Sequence, residues 1–62
     1  MITERTDYSL GAWLVDTMHV ISKREFIENR EALLMITEDI IEFLEMYDEG
    51  LSPQAAFAEY VR

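Results

Sequence analysis

Apolar residues recur at spacings of three and four from Leu10 through Trp13, Leu14 and Met18 to Ile21, the period of one helical face. Thr6, Asp7 and Ser9 stand just upstream as alternative N-caps, so the pattern predicts a first helix over about residues 8–21. Gly11 falls inside it at a cost of about 1 kcal/mol relative to alanine, a cost that a closely approaching backbone would offset and a frayed first turn would avoid. Residues 1–5 show no useful period and read as an N-terminal arm, expected to be docked rather than loose.

The clearest punctuation follows at residues 21–26. Ser22 and Glu25 have the spacing of a capping box, and Ile21 is placed to staple onto Phe26 across a first turn. The sequence therefore predicts that a long central helix begins at about residue 23. It should run to Glu49, because Gly50 supplies a left-handed C′ position and Leu51 can pack back on Met46 in a Schellman ending. Such a rod is ~40 Å long. Asn29 and Thr37 are possible internal caps at which it can divide. Ser52 and Pro53 then read as N-cap and N1 of a last helix over about residues 53–62. The expectation is one all-α domain spanning residues 1–62, with three helices and one long central one.

At about 100° per residue, Phe26, Leu33, Ile36, Ile40, Phe43, Leu44 and Tyr47 share one side of the long helix, widened by Leu34 and Ile41. Phe26, Leu33, Ile40 and Tyr47 lie seven apart, and Ile36 and Phe43 complete a heptad-like a/d series marred by Asn29. Two short neighbours cannot cover so broad a stripe, so these residues are expected to form a homodimer interface within a compact helical bundle, with monomer core as the plainer alternative. The reverse side carries Glu31, Glu38, Glu42, Glu45 and Glu49, with Met35 and Met46 beside them.

Composition sharpens this picture. The 62 residues hold 13 acids against 5 bases, for a net charge of −8. The imbalance is lopsided: residues 1–30 are net −1 and residues 31–62 net −7, with no lysine or arginine between Arg30 and Arg62. Like charges at i,i+4 slightly destabilise a helix, so the glutamates serve either solubility or a partner with a basic surface, with the methionines as adaptable apolar contacts. The same charge argues against direct binding to nucleic acid or to anionic membrane. No apolar run approaches the roughly 20 residues that span a bilayer, and Glu4 and Asp7 interrupt any signal-like start, so a cytoplasmic location is expected. A core this small gives little net stability, and without cysteine the remaining aid is self-association.

Catalytic chemistry finds few carriers. His19 is the one histidine, three residues after Asp16 and off the apolar face, and it has no cysteine to activate. Glu38 and Glu42 would hold a divalent cation weakly, without EF-hand spacing, and Gly11 and Gly50 stand alone rather than in a phosphate loop. Lys23, Arg24 and Arg30 read as salt-bridge partners for Glu25 or Glu28. No cofactor, metal or enzymatic activity is expected.

Two functional classes follow. One is an acidic binding module that docks on a larger protein through Glu31, Met35, Glu38, Glu42, Glu45, Met46 and Glu49 and inhibits or modulates it. By analogy of size and charge alone it is of the phage or mobile-element inhibitor type, including anti-defence or anti-CRISPR imitation of nucleic acid. The other is a structural accessory subunit whose apolar side builds an assembly.

Overall fold

The computed structural model describes residues 9–62, and within them the chain forms four helices and no strand. These are α1 (Leu10–Glu25), α2 (Asn29–Glu38), α3 (Ile40–Asp48) and α4 (Pro53–Tyr60). The all-α class stands. The single long central helix does not, because the segment expected to form it is broken at residues 26–28 and again at Asp39.

The first helix starts on Ser9, whose hydroxyl accepts the Ala12 N–H at 3.1 Å. The other candidate caps, Thr6 and Asp7, the expected start at Tyr8 and the arm of residues 1–5 lie outside the described residues. Ser22 caps nothing: α1 runs through it to Glu25. Its hydroxyl instead donates to the Ile27 carbonyl at 2.6 Å, while its own carbonyl accepts the N–H groups of Phe26 and Ile27. Phe26 takes the left-handed conformation, φ 57° and ψ 43°, that ends the helix. The expected Ile21–Phe26 staple is absent, since Ile21 is fully buried while Phe26 is 93% exposed. It is Ile27, one residue on, that turns back onto the core.

The second break is a single residue. Asp39 sits at φ −120° and ψ 38°, its N–H bonded to the carbonyls of Met35 and Ile36, and α3 starts immediately after it. Asn29 is the first residue of α2 rather than its cap, and Thr37 bonds back to the Leu33 carbonyl at 2.8 Å without ending the helix.

Packing explains both breaks. Helix α1 is about 24 Å long, and the described chain measures 31 × 21 × 18 Å, so a 40 Å rod would carry its second half beyond anything to pack on. Breaking lets α2 place Ala32 and Ile36, and α3 place Phe43 and Met46, around the α1 row of Trp13, Thr17 and Ile21. Pro53, Ala56 and Phe57 of α4 close the core. Trp13 links the layers: its indole N–H donates to the Leu51 carbonyl at 2.8 Å, and its ring meets Tyr47 edge-on at 5.4 Å. Leu51 is held there by the expected Schellman ending, with Gly50 at φ 89° and the Leu51 N–H bonded to the Met46 carbonyl at 3.2 Å. Ser52 then caps α4 through the Ala55 N–H at 3.1 Å.

Among the described residues no neighbouring heavy atom lies within 4 Å of where a Gly11 Cβ would sit, so none of their backbone approaches closely enough to offset its cost.

Candidate functional site

Because α3 and α4 are joined by four residues, they lie close and bring the acidic side of α3 and one carboxylate of α4 to one cleft. Glu42, Glu45 and Glu49 of the α3 segment face Glu59 of α4 across a floor made by Met46, Leu51 and Tyr60. The cleft is about 190 Å³, smaller than the roughly 300–1,000 Å³ of sites for drug-sized ligands. It has room for one long side chain.

Three of the five stripe glutamates, Glu42, Glu45 and Glu49, therefore share a site. Glu31 and Glu38 do not line it, because they belong to α2 and the turn at Asp39 separates them from α3. The two methionines differ from the adaptable surface contacts expected of them. Met46 is only 8% exposed and belongs to the core, and Met35 is half-buried against it.

Glu59, Asp39 and Tyr60 were not among the sequence candidates. Tyr60 donates its hydroxyl to the Asp39 carboxylate, tying the end of α4 to the α2–α3 turn, and its ring leans on Phe43 at 4.8 Å. Its ionisation is pushed up to about 12, chiefly by that hydrogen bond, then by desolvation and by the negative charges of Asp39, Glu42 and Glu38. No local signal could have located Glu59 here, since it joins the cleft from a separate helix.

The cleft is poor in countercharge. Arg62 pairs with Glu59 at 3.2 Å, but both side chains are more than half exposed, which makes the pair weak. Lys23, Arg24 and Arg30 do not form the bridges to Glu25 or Glu28 that their sequence positions suggest.

The apolar series divides too. Ile36 and Phe43 fill this chain's own core, and Ile40, Leu44 and Tyr47 are half-buried. Phe26 and Leu33 remain exposed, as do Leu34 and Ile41. No group of three or more candidate metal ligands occurs among the described residues, and none of their helices is long and apolar enough to cross a membrane.

Comparison with family models, with curated proteins and with solved structures finds no match to this chain.

Proposed function

We propose that this chain is a non-enzymatic protein-binding module that docks on a basic surface of a larger protein through the α3–α4 cleft and modulates that protein. One observation carries the reading. Four carboxylates from two helices converge on an apolar floor and receive one weak internal countercharge. A lysine or arginine side chain would lay its methylene stem on Met46 and Leu51 while its charged head meets the glutamates. The row of carboxylates is interrupted at Asp39, so imitation of a regular phosphate backbone draws no support from the fold.

The test is titration with a lysine- and arginine-rich helical peptide. Saturable binding should fall steeply as salt rises to ~1 M, where the Debye length is about 3 Å. Replacing Glu42, Glu45 and Glu49 with glutamine should abolish it while helicity stays unchanged. Binding that survives both the salt and the triple substitution refutes the reading.

A second reading, self-assembly, is favoured by a different observation: the large apolar side chains of Phe26, Leu33, Leu34 and Ile41 are all exposed. Sedimentation over a hundredfold range of concentration tests it. A constant monomer mass, or an assembly that persists when Leu34 and Ile41 become glutamate, removes this alternative.

A further inference from the structure

The described residues border a second, open cleft of opposite character. Its volume is about 420 Å³, and it is lined by His19, Val20, Lys23 and Arg24 of α1 with Gln54 at the second position of α4. Among the described residues no carboxylate lines it. Lys23 and Arg24 make no ion pair among the described residues.

Part of this arrangement has a local cause. Both cations occupy the last turn of α1, where positive charge complements the helix dipole. That does not account for His19 one turn earlier, nor for the arrival of the α4 N-terminus from another part of the chain. At that terminus Ser52 takes the Ala55 N–H and Pro53 has none to offer, which leaves the Gln54 N–H without an intrahelical partner.

We propose that this cleft binds the phosphate group of a small phosphomonoester. The two full charges of Lys23 and Arg24 match the roughly −1.5 to −2 of such a group at neutral pH. The guanidinium fork, the ammonium, an imidazole N–H and the Gln54 amide together offer more donors than a planar, singly charged carboxylate can use. The volume falls within the range of about 300–1,000 Å³ usual for small-molecule sites, so it exceeds what a phosphate alone needs. Val20 gives the organic part of the ester an apolar wall. The site is independent of the α3–α4 cleft, with which it shares no lining residue.

The experiment is a titration of the isotopically labelled full chain, followed by amide chemical shifts, with inorganic phosphate and in parallel with acetate at constant ionic strength. Phosphate should move the Lys23, Arg24 and Gln54 amides saturably, and acetate should act at least about tenfold more weakly. Arg24→Gln should weaken phosphate binding by at least about fivefold, equivalent to about 1 kcal/mol. Arg24→Lys, which keeps the charge and loses the fork, should fall between that variant and the parent. Arg30→Gln removes an exposed cation outside the cleft and should change nothing. The circular dichroism of each variant establishes that it is folded. Shifts that scatter along the chain or never saturate, an equal response to acetate, or equal weakening by Arg30→Gln would each overturn the proposal.

Discussion

Replacing Phe26 with glycine should make this protein more stable, although it deletes a large aromatic side chain. The backbone there is left-handed, at φ 57°, a conformation that costs an L-residue other than glycine about 1–2 kcal/mol. Little is lost in return: Phe26 is 93% exposed, and full burial of a phenylalanine is worth only about 1.5–3 kcal/mol, so its covered fraction contributes about 0.1–0.2 kcal/mol. Against the relief stands the greater freedom of glycine in the unfolded chain, about 0.5–1 kcal/mol relative to alanine. The net expectation is a gain of about 0.5 kcal/mol, which for a chain of this size raises Tm by roughly 2–4 °C. Thermal and urea unfolding followed by circular dichroism at 222 nm measure it. Phe26→Ala is the control, because it removes the ring and keeps the strain, and it should sit within about 0.3 kcal/mol of the parent. Destabilisation by both variants would mean that the Phe26 ring is covered in solution. If the loss grew with protein concentration, the cover would be a second copy.

Further outcomes follow from single contacts. Gly11→Ala meets no neighbour within 4 Å among the described residues and should stabilise by about 0.5 kcal/mol, seen in the same unfolding experiments. A decrease would show that Gly11 is not helical in solution. Trp13→Phe leaves the Leu51 carbonyl without its 2.8 Å donor and opens a void between α1 and the α3–α4 turn, so it should cost about 2–3 kcal/mol and lower Tm by more than about 8 °C. Tyr60→Phe tests the tie to Asp39 through its pH dependence. The folded phenol is raised from 10.0 to about 12, so its contribution is fully present below pH 10 and is lost as pH climbs from 10 to about 12. The stability difference between parent and variant should vanish across that window. The phenolate absorbance attributable to Tyr60 should have its midpoint near 12, and a midpoint at 10 would remove the Asp39 hydrogen bond from the account.

Two helix endings show how far the sequence could be read. At Gly50 and at Phe26 the chain uses the same device, a left-handed residue followed by an apolar one that turns back toward the core. Gly50 announces itself, because glycine alone pays no steric penalty at positive φ, and the Schellman ending, the Ser52 cap and Pro53 at N1 were all legible from it onward. Phe26 carries no such mark. Its neighbours Ser22 and Glu25 even spell a helix start, and read locally they point the wrong way, since the Ser22 hydroxyl serves the end of a helix instead.

The acidic side was legible as composition and only partly as a place. Charge counts located the excess in residues 31–62, and helical spacing put Glu42, Glu45 and Glu49 on one side of α3. That Glu59 joins them while Glu31 and Glu38 fall away depends on the turn at Asp39 and on the return of α4.

The sequence by itself determined the helical class, the stop at Gly50 and the cap at Ser52, and it narrowed the first cap to three residues of which Ser9 is one, because each rests on contacts within four or five residues along the chain. Where the middle of the chain breaks was decided only by tertiary structure. Periodicity from residue 26 to residue 47 is compatible with one rod, yet a partner helix of about 24 Å cannot cover a rod of ~40 Å. Folding at Phe26 and Asp39 buries Ile36, Phe43 and Met46 and packs Ile27 against them, at the cost of one left-handed phenylalanine and a few unmade helical hydrogen bonds. Burial of apolar area outweighs those local terms, and no window of sequence shorter than the whole core contains that comparison.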